Sequence, residues 1–118
     1  MKAKKLYFMD CHLAGRQYHD VDEVWDDMNV GTILQLERDL ENRHDPYAVA
    51  VLFKKEYEEE PYLLGYIPRG DNRTIANFLE MGWTDIFECR ISRINEMAHP
   101  ENQVHLTIKI KRNKTESK

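Results

Sequence analysis

The chain has 118 residues, of which 42% are hydrophobic and 32% charged, which fits one domain with one core. Its formal net charge of -4 argues against strong DNA binding without sequence preference, because such binding depends on neutralising phosphates. No apolar run approaches the roughly 18 residues of a membrane span, and the apolar stretch after the basic N-terminus is too short for a secretion signal. Cys11 and Cys89 are therefore expected to be reduced core thiols of a cytoplasmic protein.

The first half of the chain predicts three strands and a short helical segment. Lys5 to Leu13 is rich in strand-forming residues and predicts the first strand. Val21 to Met28 has apolar residues at helical spacing, which indicates one or two helical turns. Thr32 to Arg38 alternates apolar and polar residues and predicts a half-buried second strand. Turn residues from Asn42 to Pro46 form a loop, and the apolar run from Tyr47 to Phe53 predicts a buried third strand.

The second half predicts three more strands and one helix. Tyr62 to Ile67 follows a charged loop and is the fourth predicted strand. Arg73 to Met81 has an apolar helical face, and Asp71 or Asn72 can cap it, because either side chain accepts bonds from the free N–H groups of a helix start. Alternating residues predict the last two strands, at Asp85 to Asn95 and Val104 to Lys111.

Six strands with one or two short helices predict a mainly β fold with minor α content. The expected architecture is a small six-stranded antiparallel barrel, partly open and of the OB-like or SH3-like kind. We expect residues 1–118 to form one domain, with a core from about residue 6 to residue 110 and a frayed polar tail at 111–118. Side chains at strand ends then gather at a rim of the barrel, where loops usually carry binding residues.

The cysteines and histidines do not favour a metal site. Cys11, His12, His19 and Cys89 could converge in space, but the chain has no Cys-x-x-Cys pair, which structural zinc sites commonly use. A small apolar core role is the favoured interpretation of both cysteines. The sequence therefore predicts neither a metal nor a cofactor.

A hydrolase at His44-Asp45 is the least favoured interpretation. Adjacent residues of an extended segment point to opposite sides, and no serine, threonine or cysteine nucleophile can be linked to the pair from the sequence. Asp45 stands just before Pro46, where its carboxylate can accept backbone N–H bonds within a turn. The chain also lacks a glycine-rich phosphate loop, so nucleotide hydrolysis has no support.

Arginine and aromatic residues at predicted strand ends indicate a different function, contact with nucleic acid. Arginine binds phosphate through paired hydrogen bonds, while tyrosine and histidine offer flat faces for stacking bases. Solvated arginines and core-capping aromatics are the alternative, which the acidic composition alone would favour. The residues in question are Tyr18, Arg38, Arg43, His44, Tyr66, Arg69 and Arg73.

Four motifs, taken together, resemble the HIRAN domain family from about Leu6 to Ile110. The resemblance implies a modified OB-like barrel which, in the fork-remodelling helicases that carry it, captures the 3′ end of single-stranded DNA. Such helicases also contain an ATPase motor and a zinc module, which the present residues lack; the chain resembles small stand-alone bacterial HIRAN proteins. The motifs are Gly15-x-x-Tyr18, Gly31-Thr32-x-Leu34-x-Leu36-x-Arg38, Asn42-x-x-Asp45-Pro46-x-Ala48-Val49-x-Val51 and Leu64-Gly65-Tyr66-Ile67-Pro68-Arg69.

The resemblance also implies a set of site residues. In the family, a base stacks on an aromatic residue of the Asn-x-x-Asp turn, and that position falls on His44. The aspartate that reaches the terminal 3′-hydroxyl falls on Asp45. Further contacts come from the end of the first strand and from the segment after the Leu-Gly pair. The predicted nucleic-acid-binding residues are Gln17, Tyr18, Arg43, His44, Asp45, Tyr66 and Arg69.

Some of these positions differ from the family pattern. His44 replaces a larger aromatic residue, so stacking should be weaker, and Gln17 stands where the helicase domain has an arginine, which removes a phosphate contact. Tyr66 replaces a histidine, while Arg69 keeps a cation where a lysine is found.

The leading hypothesis is a non-enzymatic module that recognises 3′ ends of single-stranded DNA in repair or at stalled forks. A protein-interaction adaptor that binds no nucleic acid is the alternative, motivated by two acidic clusters, one between Asp20 and Asp27 and one between Glu56 and Glu60. The sequence leaves open the base preference, the choice between DNA and RNA, a protein partner and the oligomeric state.

Overall fold

The computed structural model of the protein describes residues 3–16 and 19–112, and it confirms a mainly β fold with little helix. Two short 3-10 segments span Asp20–Asp27 and Pro100–Asn102, and one α-helix, α1, spans Arg73–Glu80. All six predicted strand positions are confirmed. The strands are β1 (Lys5–His12), β2 (Ile33–Arg38), β3 (Val49–Phe53), β4 (Tyr62–Tyr66), β5 (Phe87–Ile94) and β6 (Val104–Lys111).

The strands form one antiparallel sheet in the order β1-β6-β5-β2-β3-β4. Long ladders join β1 to β6 and β6 to β5. The ladder between β2 and β5 is short, with Ile33 opposite Arg90 and Leu34 opposite Cys89. Hydrogen bonds between Ile91 of β5 and the two residues before β2, Gly31 and Thr32, extend this contact at one end.

The outer ends of the sheet meet at Ala14 and Tyr66. The N–H of each residue donates to the carbonyl of the other, and both N···O distances are 2.9 Å. This pair links the segment after β1 to the end of β4 and closes the sheet at one point. The result is the partly open barrel that the strand pattern predicts.

Helical segments cover the openings of this barrel. Ile75, Ala76 and Leu79 of α1 are buried in the core, and each large apolar side chain buried in this way contributes about 1.5–3 kcal/mol. The first 3-10 segment packs on β4. Its buried residues, Val21 and Val24, are three positions apart, the spacing that aligns side chains on a helix with three residues per turn. The segment is interrupted at Val24, whose φ of -122° and ψ of 19° are not helical, so the predicted helical turns form as two short 3-10 stretches.

Two predictions about segment ends need correction. Asn72 is the N-cap residue of α1, but its side chain makes no capping hydrogen bond; its Nδ2 donates to Asp45. The expected fraying does not begin at residue 111, since Lys111 belongs to β6 and the N–H of Arg112 donates to the carbonyl of Lys4 at 3.0 Å. Residues 113–118 of the predicted tail lie outside the described residues.

Both cysteines are free thiols inside the barrel, as predicted. Cys11 is 8% exposed and Cys89 is 1% exposed. Burial raises the pKa of Cys11 to about 12 and also raises the pKa of Cys89, so both are thiols rather than thiolates at neutral pH. In the described part of the chain, no helix is long and apolar enough to cross a membrane.

An ion-pair cluster on the sheet predicts a pH-dependent contribution to stability. The Glu88 carboxylate accepts from Arg90 Nε at 2.9 Å and from Lys5 Nζ at 2.7 Å, and these bonds lower its pKa from 4.5 to about 2. An acid whose pKa is lower in the folded state stabilises that state at pH values above its unfolded-state pKa. This contribution disappears as the pH falls through the folded-state pKa. Glu88→Gln should therefore cost about 1 kcal/mol at pH 7, a modest value because both cations are partly exposed.

Urea unfolding of both proteins at pH 7 and at lower pH measures this effect. The difference in unfolding free energy should shrink steadily as the pH falls from about 4.5 towards 2. Glu37→Gln is the control, because Glu37 is exposed on β2 and forms no ion pair with a described residue. A Glu88→Gln difference that stays constant over this pH range would contradict the assignment.

Candidate nucleic-acid interface

The Asn42 turn, which we define as Asn42 to Asp45, lies between β2 and β3. Asn42 Oδ1 accepts from the backbone N–H of His44 at 2.9 Å and from that of Asp45 at 3.0 Å. One side chain thus holds the backbone of the two residues that follow, which is the usual function of asparagine in such a turn. The arrangement leaves the His44 side chain exposed and turns Asp45 partly inward.

The carboxylate of Asp45 makes two hydrogen bonds. Its Oδ1 accepts from the backbone N–H of Tyr47 at 2.9 Å, which confirms the predicted turn chemistry. Its Oδ2 accepts from Nδ2 of Asn72 at 2.7 Å, and Asn72 is only 2% exposed. Because an ionised carboxylate offers about four acceptor positions, Asp45 keeps capacity for a further donor from a ligand.

Arg38 fixes the loop from inside and does not extend into solvent. Its side chain is 12% exposed and lies 3.3 Å from Glu80 of α1. Its guanidinium donates to the backbone carbonyl of Ala48 at 3.0 Å and to that of Pro46. The expectation that Arg38 contacts nucleic acid is therefore corrected, because these bonds occupy it as a structural brace for the loop.

Tyr66 connects the barrel closure to the loop just before the Asn42 turn. Its hydroxyl donates to Asp39 Oδ2 at 2.7 Å, and its ring lies 5.6 Å from the ring of His19. Burial, together with the hydrogen bond to Asp39, raises the pKa of Tyr66 to about 12, and an interaction with the Asn42 side chain opposes the increase. Tyr66 is therefore a neutral phenol at physiological pH.

Three exposed arginines belong to this end of the barrel. Arg43 lies in the Asn42 turn, and Arg69 lies in the turn between β4 and α1, just before the residues that lead to Asn72. The guanidinium of Arg73 lies 5.0 Å from the ring centre of Tyr47. None of the three forms an ion pair with a carboxylate of the described residues, so their charges are available to a phosphate.

Two predicted site residues, Gln17 and Tyr18, lie outside the described residues. The positions on either side of them are described. Arg16 is buried, with Nη2 2.8 Å from Asp22 and its guanidinium over the ring of Trp25 at 4.8 Å. Among the remaining predicted residues, Tyr66 is joined by a hydrogen bond to Asp39, in the loop just before the Asn42 turn, whereas no described hydrogen bond or ion pair joins the Arg69 side chain to the turn.

Three residues that the sequence did not assign to this site contact its members: His19, Asp39 and Asn72. Asp39 and Asn72 are polar residues that directly follow a strand or precede a helix, and such positions are a signal that could have been used. Their partners, Tyr66 and Asp45, are both 27 residues away along the chain. That separation is not visible to a local pattern, because it depends on how the strands are paired.

The structure places the groups considered for metal binding or hydrolysis in separate environments. Cys11 and Cys89 are in the core, His12 lies 3.6 Å from Glu101, and His19 packs on Tyr66. Within residues 3–16 and 19–112, no cluster of three or more His, Cys, Asp or Glu residues could hold a metal ion. The side chain bonded to Asp45 is that of Asn72, an amide and not a nucleophile.

A groove of about 590 Å³ is lined by residues of β2, by the first residues of β5 and by Leu79 of α1, and by none of the residues of the Asn42 turn. Leu36, Leu79 and Phe87 contribute its apolar surface, and Arg38 lies at one end. It contains none of the predicted nucleic-acid-binding residues, so size alone does not identify the candidate interface.

The chain is similar to known proteins in structure, and its sequence matches one family profile. The chain is similar in structure to a crystallised protein from Lactobacillus plantarum, with a TM-score of 0.69 and 19% identity over 90% of this chain and 94% of that one. It is also similar to the HIRAN domain of human HLTF, with a TM-score of 0.56 and 16% identity over 94% of this chain and 84% of that one. No curated protein sequence matches. Residues 6–112 match the sequence profile of the HIRAN domain, and the chain therefore belongs to the HIRAN domain family.

Proposed function

We propose that this HIRAN domain is a non-enzymatic module that binds single-stranded DNA and recognises its 3′ end, in DNA repair or at stalled forks. Membership of the family supports nucleic-acid binding in general. The observation that carries the proposal is the Asn42 turn, which presents an exposed imidazole and a partly buried carboxylate from one hydrogen-bonded unit.

His44 supplies the stacking surface in this proposal. Its backbone N–H donates to Asn42, so the turn fixes the backbone from which the exposed ring extends. Stacking of a base on an aromatic side chain contributes about 1–3 kcal/mol, and the small imidazole ring places His44 towards the lower end of that range. A base stacked on His44 brings the sugar of the same nucleotide, with its 3′-hydroxyl, towards Asp45.

Asp45 supplies the recognition of the 3′ end. A free 3′-hydroxyl can donate to the remaining acceptor positions of its carboxylate, whereas a 3′-phosphate would bring negative charge against negative charge. A hydrogen bond to an ionised group is worth about 1.5–3 kcal/mol, which is enough to separate the two kinds of end by tenfold or more.

The exposed arginines supply the attraction for the backbone. Arg43, Arg69 and Arg73 lie around the Asn42 turn and α1 without an ion-pair partner in the described chain. The net charge of the protein is -4, so the acidic surface elsewhere repels the DNA backbone and opposes the attraction of these arginines. We therefore expect modest affinity that weakens clearly with salt.

Fluorescence anisotropy with a labelled oligothymidine tests the proposal. One oligonucleotide carries a free 3′-hydroxyl, and its pair carries a 3′-phosphate. We expect tighter binding to the free end at low salt, where phosphate contacts are strongest. Equal binding to both would remove end recognition, and the absence of binding at low salt would remove the nucleic-acid function altogether.

Arg43→Ala should weaken binding to both oligonucleotides by a similar factor. Loss of one phosphate contact lowers the slope of log affinity against log salt by about 0.7 for a single strand, and the preference for a free 3′ end should be unchanged. Lys109→Ala is the matched control, because Lys109 is an exposed cation in the middle of β6. A slope that changes equally in both variants would show that only total charge matters.

A protein-interaction adaptor is the second candidate function, and an exposed apolar patch favours it. Phe78, Met81 and Trp83, on α1 and just after it, are 42%, 77% and 55% exposed. Exposed aromatic clusters often mark interaction surfaces. Recovery of one stable protein partner after nuclease treatment, and its loss in Trp83→Ser, would favour this function over DNA binding.

A further inference from the structure

Asp39 lies at the point where the barrel closure and the loop before the Asn42 turn come together. Its Oδ2 accepts from the Tyr66 hydroxyl at 2.7 Å, and its Oδ1 accepts from the backbone N–H of Glu41 at 3.2 Å. Its own N–H donates to the carbonyl of Ala48 at 3.0 Å. One residue therefore contacts both sides of the loop and the end of β4.

Tyr66 is a fixed reference for this contact. Its backbone N–H and carbonyl are both paired with Ala14 at 2.9 Å, so its position is set by the barrel. An ionised carboxylate only accepts hydrogen bonds, so the hydroxyl of Tyr66 is the donor to Asp39. The phenol proton is thus committed to Asp39, and the tyrosine that the family resemblance places in contact with DNA is engaged in holding the loop.

We propose that Asp39 is a positioning residue of the binding site, which acts through Tyr66 to set the place at which the Asn42 turn presents His44 and Asp45. The chain of contacts runs from Ala14 to Tyr66 and from Tyr66 to Asp39. Asp39 in turn accepts from the N–H of Glu41 through its side chain and from the N–H of Asn42, at 3.5 Å, through its carbonyl. This inference rests on the function proposed above and names the residues that hold its site in place.

A positioning role for Asp39 predicts how substitutions of Asp39 and Tyr66 combine. If Asp39 acts through the Tyr66 hydroxyl, removal of either group breaks the same link, and removal of both has no larger effect than removal of one. If Tyr66 instead contacts DNA directly, the two substitutions act independently and their effects multiply.

The variants Asp39→Ala, Tyr66→Phe and the double variant, each in the full chain, test this statement. The measured quantity is the ratio of the dissociation constants for the 3′-phosphate and 3′-hydroxyl oligothymidines. We expect each single variant to lower this ratio by about tenfold, the effect of losing one well-placed hydrogen bond to a charged group, with no further loss in the double variant. Tyr62→Phe is the matched control, because the Tyr62 hydroxyl also donates to a carboxylate, Glu58 Oε1, at 2.7 Å.

Amide hydrogen exchange supplies a second readout that needs no DNA. The N–H groups of His44 and Asp45 bond to Asn42, and they should exchange faster in Asp39→Ala and Tyr66→Phe but not in Tyr62→Phe. Tyr66→Phe removes a single oxygen, so it preserves the test if Asp39→Ala does not fold.

The outcomes separate the inference from the proposed function. Unchanged exchange at His44 and Asp45 in Asp39→Ala, or multiplicative effects of the two substitutions on the ratio, would overturn the positioning role. Equal binding of both oligonucleotides by the unmodified protein would instead refute end recognition, and faster exchange in the variants would then still support the link from Asp39 to the turn.

Discussion

Gly65→Ala should lower the unfolding free energy by about 3 kcal/mol, since overpacking a tight interior site costs about 1–3 kcal/mol and occasionally more. A Cβ atom at this position would lie 2.4 Å from the backbone oxygen of Ala14 and 3.0 Å from a methyl group of Leu13. The Ala14 oxygen cannot move away freely, because it accepts the N–H of Tyr66. The substitution therefore forces apart the pair of hydrogen bonds that closes the barrel.

The reason for glycine here is space and not backbone conformation. Gly65 is not among the glycines with positive φ, whereas Gly70 has a φ of 99° and no atom within 4 Å of its Cβ position. Gly70→Ala is thus the matched control, with an expected cost of about 1–2 kcal/mol for the left-handed backbone. Urea unfolding measures both, and a Gly65→Ala cost no larger than that of Gly70→Ala would contradict the close approach.

Asp45→Asn should retain the fold but lose the preference for a free 3′ end. The amide oxygen of an asparagine at position 45 can still accept from the N–H of Tyr47. The Asn72 amide can rotate so that its oxygen accepts from the new NH₂ group at position 45, and the stability cost should therefore stay below about 1 kcal/mol. The negative charge that opposes a 3′-phosphate disappears. We expect the ratio of the two dissociation constants to fall by tenfold or more, mainly because the 3′-phosphate oligonucleotide binds better.

Asp45→Ala separates the structural role of this residue from its binding role. The alanine leaves the N–H of Tyr47 and the buried Asn72 amide without their acceptor, and each unsatisfied buried group costs about 1–3 kcal/mol. Thermal unfolding should therefore show a large loss of stability in Asp45→Ala and a small one in Asp45→Asn. An Asp45→Asn protein that keeps the full preference for a free 3′ end would show that Asp45 serves the turn alone.

Gly65→Ala and Asp45→Asn test different parts of the proposed function. Gly65→Ala tests the barrel closure, on which the position of Tyr66 depends, and it does so without DNA. Asp45→Asn tests the chemistry of end recognition in a protein that is expected to remain folded. A loss of binding in Gly65→Ala alone would therefore say little about which residues touch the nucleic acid.

The local sequence was sufficient for the strands and for the turn chemistry of Asp45. Alternation with a period of two depends on neighbouring residues only, so β6 was predicted from Val104 to Lys111 and occurs there. The same holds for the carboxylate before Pro46, which bonds to the N–H two residues later. Each of these features is decided within a few residues of chain.

The predicted cap of α1 was wrong because the contacts of its side chain are not decided within a few residues of chain. Asn72 stands at the N-cap position, as its neighbours indicate, but its amide donates to Asp45, a residue on another loop. Arg38 was considered for nucleic-acid contact because it stands at a predicted strand end, yet Nη1 of its guanidinium donates to the carbonyl groups of Asp39 and Ala48. Asn72 thus bonds to a residue 27 positions away, and the acceptors of Arg38 lie in the loop that directly follows it.

The sequence by itself determined six strands, a buried thiol pair and a turn rich in polar groups, because these depend on periodicity and on local hydrogen bonding. Only the tertiary structure decided that Tyr66 meets Ala14 and Asp39, and that Asn72 meets Asp45. These contacts join segments that are far apart in the chain, and they exist because antiparallel pairing in the order β1-β6-β5-β2-β3-β4 brings strand ends to one place. The register of the barrel, which no local pattern specifies, is therefore the physical reason that separate polar residues form one candidate site.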